Sequence, residues 1–449
     1  MSDGPLRVAI LGAGAVGQEV ALAFLRNPER LAPIDGRPMV LAGVAVHDLG
    51  RHLHSPIPAD LLTDAPAHLV ADPDVDVIVE LMGGDEPART LIAVALAAGK
   101  SVVTANKHVV AHHGPELEAI ARRTGASLRY EASVGGGIPV LAPLAADLAA
   151  NRVLRVRGIV NGTTNYILTA MARDGRAYED VLADAQAAGY AEADPRGDVE
   201  GDDAVNKLVI LARLAFGAWL VPGSIPRRPP LIDGPGRPGI TGVTADEMTA
   251  AAALGLTIRL LASAGRVTDS DDDGAVATES RVGEPALALE TVASVLPTAV
   301  PVDGPFGHTI GVLNRIEIEA EPLGRVSFGG PGAGGAATSS AVLGDLLALA
   351  RGLGSTWAGL PPTPAGPLAE PIRRSPLRLQ QGVGDRGWFA YLPGVRPLRV
   401  RASEAGLYAV ATSGGIAVRS GPAPMAVIRA ALAEVLDGPA SVTLYPIDE

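Results

Sequence analysis

Lysine is the residue type that points most directly to chemistry, because the chain uses it so sparingly. Of its 37 basic residues only Lys100, Lys107 and Lys207 are lysines, and the other 34 are arginines. Arginine stays protonated, whereas the pKa of a lysine is readily shifted, so that a lysine can exchange a proton near neutral pH. The three lysines are therefore candidates for proton transfer, with survival by chance as the alternative explanation.

Carboxylates surround the last of these lysines. Asp203 and Lys207 are four residues apart in a predicted helix, so their side chains share one face. Glu192 and Asp198 lie just upstream, in two short segments that are dense in polar groups. A solvated surface ion pair is the ordinary explanation for Asp203 and Lys207, but the rarity of lysine favours an active-site pair.

A glycine turn lies near the amino terminus, between a predicted strand at 8–11 and a predicted helix at 16–26. Its residues are Gly12, Ala13, Gly14, Ala15, Val16 and Gly17. In this setting the first glycine permits the turn, the second admits a pyrophosphate and the third lets helix and strand pack closely. The helix N-terminus favours the phosphate charge. The turn therefore predicts a nicotinamide dinucleotide, against the alternative of a turn without ligand.

The choice between NAD and NADP stays open. An acid at the end of the second strand would bind the ribose hydroxyls of NAD, whereas a cation would bind the phosphate of NADP. Here His47 and Asp48 end that strand and Arg51 follows closely. We expect NADP or NAD, with a slight preference for NADP.

Strand and helix patterns alternate over the first 130 residues, which predicts a parallel sheet. Predicted strands lie at 8–11, 40–46, 75–81, 101–104 and 127–130. Later helices are predicted at 139–150, 178–188, 202–216, 245–264, 339–353 and 425–436, with tail strands at 388–392, 407–412 and 441–445. The expected fold class is α/β: a Rossmann-type doubly wound parallel sheet, an α+β catalytic and dimerisation domain, and a small divergent α+β C-terminal region.

Three regions follow from this pattern. A dinucleotide-binding domain is expected at 1–133, completed by about 329–355. A catalytic, substrate-binding and dimerisation domain is expected at 134–328, and the divergent region at 371–449. No role is assigned to 280–310.

Composition narrows the class of protein. The chain has no cysteine, which excludes disulfides, thiolate metal sites and thioester-forming aldehyde dehydrogenases. A net charge of −12 disfavours nucleic acid and anionic lipid as partners. We see no secretory signal and no membrane span, and we expect a cytoplasmic protein.

Several ordered motifs resemble those of homoserine dehydrogenases. They are Leu-Met-Gly-Gly at 81–84, Thr-Ala-Asn-Lys at 104–107, and the segments at 131–139, 158–165, 189–194, 198–207, 311–314 and 330–335. The resemblance implies reversible NAD(P)H-dependent reduction of L-aspartate 4-semialdehyde to L-homoserine, in threonine, methionine and isoleucine biosynthesis. It also implies a homodimer.

The resemblance also implies roles for single residues. Lys207 would be the proton donor and acceptor, and Lys107 would lie at the junction of nicotinamide and substrate. Glu192 and Asp203 would bind the substrate ammonium, with Asp198 nearby. The backbones of Gly189 and Gly311 would approach the cofactor. A structural Na⁺ would be bound by the carbonyls of Glu131, Val134, Gly136 and Ile138, where an ordinary tight loop is the alternative.

The tail departs from the family pattern. Many longer members end in a small regulatory ACT domain, whose usual opening is missing here, so the tail is at most a degenerate ACT-like domain and feedback by threonine is not expected. Two other functions stay open: a Rossmann dehydrogenase for another amino-acid semialdehyde or amino alcohol, and a catalytically silent dinucleotide sensor. The lysine distribution disfavours the sensor.

Overall fold

The structure is a computed structural model, and it divides into two compact units that each draw on three stretches of sequence. It describes residues 4–32, 36–52, 55–266, 291–363, 387–395, 406–433, 436 and 442–448. Unit 1 comprises Met1–Asn151, Val209–Pro222 and Phe328–Leu368, and unit 2 comprises Arg152–Leu208, Gly223–Ser327 and Ala369–Glu449.

The strands and helices of the described residues are as follows. The strands are β1 Leu6–Leu11, β2 Met39–Ala45, β3 Leu62–Thr63, β4 Val77–Glu80, β5 Ser101–Thr104, β6 Leu128–Arg129, β7 Arg152–Ile159, β8 Pro230–Leu231, β9 Gly234–Pro235, β10 Leu256–Arg266, β11 Thr291–Pro301, β12 Leu313–Glu321, β13 Gly324–Pro331, β14 Trp388–Pro393, β15 Tyr408–Thr412, β16 Gly415–Arg419 and β17 Tyr445–Pro446. The helices are α1 Ala15–Arg26, α2 Pro66–Ala71, α3 Ala88–Ala97, α4 Lys107–Thr124, α5 Leu141–Ala145, α6 Gly162–Asp174, α7 Tyr178–Ala187, α8 Arg196–Val199, α9 Asp202–Phe216, α10 Ala245–Ala252, α11 Gly335–Ala350 and α12 Met425–Ala433. Short 3₁₀ helices lie at Pro28–Leu31, Leu49–His52, Ala59–Leu61, Glu131–Ser133 and Pro222–Ser224.

Unit 1 is built on a six-stranded sheet in the order β3-β2-β1-β4-β5-β6. Every pair of neighbours in it is parallel. This order reverses direction at β1 and is that of the doubly wound dinucleotide-binding fold. The expected α/β fold class is thereby confirmed.

The hydrophobic core of unit 1 contains side chains from both the first and the last of its three stretches of sequence. Val8 and Ile10 of β1 and Val20 of α1 are fully buried, in one cluster with Val342 and Leu346 of α11. The apolar stripe of α1 is therefore covered by a helix that lies more than 300 residues later in the sequence. Burial of such side chains contributes roughly 1.5–3 kcal/mol each, so α11 is part of what stabilises this sheet.

Unit 2 contains a five-stranded sheet in the order β11-β10-β7-β12-β13. β7 is antiparallel to both β10 and β12. β7 ends at Ile159, and the chain then enters α6 within three residues. That junction places the segment around Asn161 at the C-terminal end of the central strand of the sheet.

Two predicted helices were wrong in extent. The region 245–264 forms α10 followed by β10, and the region 139–150 contains only the short α5. β10 is buried along almost its whole length, and Thr257 and Arg259 alternate with apolar residues at its start. That alternation is typical of a strand, and the single helix predicted for 245–264 overlooked it. Thr244 does cap α10, in a capping box with Glu247.

The C-terminal stretch of unit 2 forms a four-stranded sheet in the order β15-β16-β14-β17. Its pairs are antiparallel, and α12 lies between β16 and β17 in sequence. This is the strand order of ferredoxin-like sheets. Of the predicted helix at 425–436 and strand at 441–445, residues 434, 435 and 441 lie outside the described residues.

A buried ionic cluster ties this last sheet to β7. Arg157 donates to Asp448 at 2.5 Å and to Glu317 at 3.1 Å, and Arg155 donates to Asp448 at 2.9 Å. Arg157, Glu317 and Asp448 are all buried. Removing one partner of such a cluster leaves an uncompensated buried charge, which typically costs about 3–5 kcal/mol.

Within the described part of the chain, no helix combines the length and the apolar character that crossing a membrane requires.

Candidate active site

The glycine turn of unit 1 is closely packed on one side and open on the other. Gly12 has a φ of +102°, and a Cβ there would lie 2.7 Å from the carbonyl oxygen of Leu81. A Cβ on Gly17 would overlap the carbonyl oxygen of Gly12, whereas one on Gly14 would meet nothing within 4 Å. Gly14 is the N-cap of α1 and offers no side chain to its first N–H groups. The turn is therefore tight where it must pack and open where an anion would approach.

The acidic and basic residues that bear on the choice between NAD and NADP, Asp48 and Arg51, both lie shortly after β2. Asp48 Oδ1 accepts from the Gly50 N–H at 2.8 Å, and Arg51 Nε lies 3.5 Å from Asp48 Oδ2. His47 is exposed beside them. A cavity of about 470 Å³ follows, lined by residues between Leu49 and Leu62. The acid and the cation are neighbours here, so their positions do not decide between NAD and NADP.

A buried carboxylate that the sequence analysis missed organises the next two loops of unit 1. Glu80, at the end of β4, is fully buried and accepts from the Met82 N–H at 2.8 Å and from the Thr104 hydroxyl at 2.6 Å. Thr104 in turn accepts from the Asn106 N–H at 2.9 Å. Burial raises the pKa of Glu80, and these hydrogen bonds oppose that rise. An acid that ends a valine-rich strand was the available signal.

Lys107 is the first residue of α4, and Asn106 fixes its position. The Asn106 side chain caps the helix by accepting from the Val109 N–H at 3.1 Å, and it donates to the Gly84 carbonyl at 2.8 Å. Lys107 is half-buried. Lys100 is different, because its Nζ donates to the Val75 carbonyl at 2.8 Å, which is a structural role.

The loop predicted to bind Na⁺ follows β6. The Glu131 carboxylate accepts from the N–H groups of Val140, Leu141 and Ala142 at 2.7–2.8 Å, so it caps α5. Burial, and then the charge of Asp345, raise its pKa. The described residues contain no group of three or more His, Cys, Asp or Glu side chains that could hold a metal. Any cation here would depend on backbone carbonyls, a donor set that suits Na⁺.

The last lysine lies in a compact polar cluster of unit 2. Lys207 Nζ donates to Asp203 Oδ2 at 2.8 Å and to the Val160 carbonyl at 2.6 Å. The side chains of Lys207 and Asp203 are each 11% exposed. Asn161 donates to Asp198 Oδ1 at 2.7 Å and to Asp203 Oδ2 at 2.9 Å. The ion pair is therefore largely desolvated, and the surface-pair explanation of the Asp203–Lys207 spacing is wrong.

Burial is the main cause that raises the pKa of Asp198, and the charge of Asp203 adds to it. Hydrogen bonds from Asn161 and Thr163 and the charge of Lys207 act in the opposite direction. Asn161 lies within the motif at 158–165, and the sequence predicted no role for it. Its position just before a helix, where asparagine is a preferred N-cap, was the available signal.

The other predicted site residues of unit 2 lie on exposed loops or turns. Glu192 has an exposed side chain, and its carbonyl accepts from Gln186 Nε2 at 3.0 Å. Gly189 and Gly311 have φ of +75° and +63°, and the Gly311 N–H donates to the Thr169 hydroxyl at 3.1 Å. The structure thus brings Asp198, Asp203 and Lys207 together, and Glu192 does not join their hydrogen bonds among the described residues.

The parallel sheet, its glycine turn and a desolvated lysine–carboxylate pair define a class: nicotinamide-dependent oxidoreductases acting on a CH–OH group. Residues 12–131 match the NAD-binding domain of homoserine dehydrogenases, and residues 139–347 match the homoserine dehydrogenase domain. The chain belongs to the homoserine dehydrogenase family.

Relatives and solved structures agree with this assignment. The chain is 44% identical over 370 residues to homoserine dehydrogenase of Mycobacterium tuberculosis, covering 81% of this chain and 78% of that one. A homoserine dehydrogenase structure from Thiobacillus denitrificans is 31% identical, with a TM-score of 0.78 over 99% of this chain and 98% of the other. A hyperthermophilic archaeal homoserine dehydrogenase, solved in complex with NADPH, is 25% identical, with a TM-score of 0.58 over 77% and 97%.

Proposed function

We propose that this enzyme interconverts L-aspartate 4-semialdehyde and L-homoserine, with Lys207 as the group that gives and takes the proton. The observation that carries this proposal is the desolvated Lys207, held by Asp203 Oδ2 and the Val160 carbonyl. A bound nicotinamide supplies or accepts the hydride. In reduction, the carbonyl π bond of the aldehyde opens as hydride reaches its carbon, and the Lys207 ammonium gives a proton to the oxygen. In oxidation, neutral Lys207 removes that proton.

Carboxylates adapt this site to an amino acid. Asp203 and Glu192 would bind the substrate ammonium, with Asp198 nearby, because charge-assisted hydrogen bonds favour such a group. Lys107 would bind at the junction of nicotinamide and substrate. The backbones of Gly189 and Gly311 would approach the cofactor, and their positive φ values support loops that bring the backbone near a ligand.

We propose that the cofactor is NADP or NAD, with NADP slightly preferred. Residues 12–17 would hold its pyrophosphate, and Arg51 would offer a cation to a ribose phosphate after β2, with His47 nearby. A structural Na⁺ would be bound by the carbonyls of Glu131, Val134, Gly136 and Ile138. The positive φ of Gly135 and Gly136 supports a backbone that turns its carbonyls in this loop.

We further propose a cytoplasmic homodimer with the three regions 1–133, 134–328 and 371–449, the first completed by 329–355. The strand order of the last region supports an ACT-like origin. We expect this region to act as a structural part of unit 2, because Asp448 is built into the cluster around Arg157.

The function is tested by following NADPH consumption with L-aspartate 4-semialdehyde, and then with a semialdehyde one carbon longer. We expect rapid consumption with the first and a much lower kcat/KM with the second. Faster turnover of the longer substrate would favour a dehydrogenase for another semialdehyde. Absence of consumption by a folded protein that binds NADPH would favour a dinucleotide sensor.

A further inference from the structure

Asn161 occupies the junction between β7 and α6, and every hydrogen-bonding position of its amide is used. Its nitrogen donates to Asp198 Oδ1 at 2.7 Å and to Asp203 Oδ2 at 2.9 Å. Its oxygen accepts from the Thr164 N–H at 2.8 Å and from the Thr164 hydroxyl at 3.0 Å. The residue is only 5% exposed, so its amide is hydrogen-bonded by these protein groups and not by bulk water.

The Asn161 amide lies between two carboxylates of unit 2 whose negative charges repel each other. Asp198 and Asp203 are two carboxylates in one poorly solvated cluster, and their like charges oppose ionisation of both. A neutral amide with two N–H groups can donate one to each carboxylate without adding charge of its own. The carboxylates are thereby joined through a single planar group.

The same contact reaches the lysine. Asp203 Oδ2 accepts from Asn161 Nδ2 and also from Lys207 Nζ at 2.8 Å. Lys207 has a second anchor in the carbonyl of Val160, the residue that immediately precedes Asn161. Two neighbouring residues of one backbone segment thus fix the lysine, Val160 directly and Asn161 through Asp203.

We propose that Asn161 is a positioning residue for the reaction: it holds Asp198 and Asp203 as an oriented pair of carboxylates and, through Asp203, sets the position of Lys207. The proposal rests on the role of Lys207 given under the proposed function. Asn161 acts through its neighbours, and its helix cap would be served equally well by serine or aspartate.

The two parts of this role can be separated by substitution. Asn161→Ser keeps an oxygen that can cap α6 but donates only one hydrogen bond. Asn161→Asp also keeps the cap, but donates none and adds a third carboxylate to the cluster. Thr244→Ala is the matched control, because it removes an N-cap of α10 in the same unit, away from these carboxylates.

The measurements are the melting temperature and kcat and kcat/KM for homoserine oxidation as a function of pH. We expect Asn161→Asp to lower kcat by roughly 10²-fold, the usual effect of a displaced catalytic group. For Asn161→Ser we expect the acid limb of kcat/KM to move to higher pH, because the hydrogen bond from Asn161 lowers the pKa of Asp198. Thr244→Ala should lower only the melting temperature.

The outcomes separate this proposal from the proposed function. If Lys207→Ala is inactive while Asn161→Ser keeps the wild-type kcat and pH profile, the positioning role is wrong and the function stands. A lower melting temperature in Asn161→Ser with an unchanged pH profile would leave the residue with a structural role alone and also overturn the proposal. If Asn161→Asp fails to fold, Asn161→Ser decides. If Lys207→Ala is fully active, the proton-transfer role proposed for Lys207 is wrong, and the positioning role of Asn161 falls with it.

Discussion

The Nζ of Lys207 lies 2.8 Å from Asp203 Oδ2, one helical turn earlier in α9. Pairs with this spacing on exposed helices contribute only about 0.3–0.5 kcal/mol. Here both side chains are 11% exposed, and the Val160 carbonyl lies against the same ammonium. The pair therefore fixes the position of Lys207 Nζ inside the protein and does not serve as an exposed helix ion pair.

Replacement of Lys207 should separate chemistry from cofactor binding. We expect Lys207→Ala and Lys207→Arg both to lower kcat by about 10²–10⁴-fold, because neither side chain can exchange the proton at neutral pH. NADPH binding, followed by fluorescence titration, should persist because residues 12–17 are unchanged. Lys100→Ala is the control, and it should lower the melting temperature but not kcat. Normal turnover by Lys207→Ala would contradict the assignment.

Glu192 should affect substrate affinity more than turnover. Replacing an ammonium-binding carboxylate by the isosteric amide removes a charge-assisted hydrogen bond of about 1.5–3 kcal/mol. We expect Glu192→Gln to raise the KM for homoserine about 10- to 100-fold, with little change in kcat. Asp194→Asn is the matched control, since Asp194 is exposed and paired with Arg196. Equal KM values for both variants would remove Glu192 from the site.

The glycine turn predicts opposite results for two similar substitutions. Gly14→Ala places a methyl group where nothing lies within 4 Å and where φ is −70°, so the protein should fold normally. The methyl group would obstruct the pyrophosphate, and we expect the Kd for NADPH to rise roughly 10-fold or more, the equivalent of about 1.4 kcal/mol.

Gly17→Ala should instead lower the melting temperature, because its Cβ overlaps the carbonyl oxygen of Gly12. Thermal unfolding and NADPH titration of both variants check this pair of expectations. Unchanged NADPH affinity in Gly14→Ala would mean that the pyrophosphate does not approach this part of the turn.

Glu80 gives a pH dependence whose sign can be worked out. Burial raises its pKa in the folded state above the ordinary value of 4.5. Its contribution to stability is therefore fully present below pH 4.5 and is lost as the pH rises through the folded value. The Glu80→Gln variant has no titrating group at this position. We therefore expect the melting temperature of the wild type to fall relative to that of Glu80→Gln as the pH rises.

The matched control for Glu80 is Glu116→Gln. Glu116 is partly exposed and pairs with Arg89, so this variant removes one carboxylate without disturbing a buried site. If the melting temperature of the wild type instead rises relative to that of Glu80→Gln with increasing pH, burial does not raise the pKa of Glu80.

The sequence predicted the parallel sheet well because β1, β4 and β5 are short apolar runs followed by glycine or polar residues. It predicted β10 wrongly, since the apolar pattern of α10 was extended through a buried strand whose only alternation is the short stretch around Thr257 and Arg259. The Asp203–Lys207 pair was found from spacing and from the rarity of lysine. Glu80 and Asn161 were missed because their importance lies in contacts with residues 24 to 42 positions away, which no local pattern reveals.

Neither unit is a continuous piece of chain, so neither can complete its core early in synthesis on the ribosome. The apolar face of α1 near residue 20 can be covered only after α11 at Gly335–Ala350 has been synthesised. Arg157 can pair with Asp448 only after another 291 residues have been added. Since a nascent chain emerges from its amino end, both cores stay open until most of the chain has been made. Neither unit can therefore be expressed from a single uninterrupted fragment with its core intact.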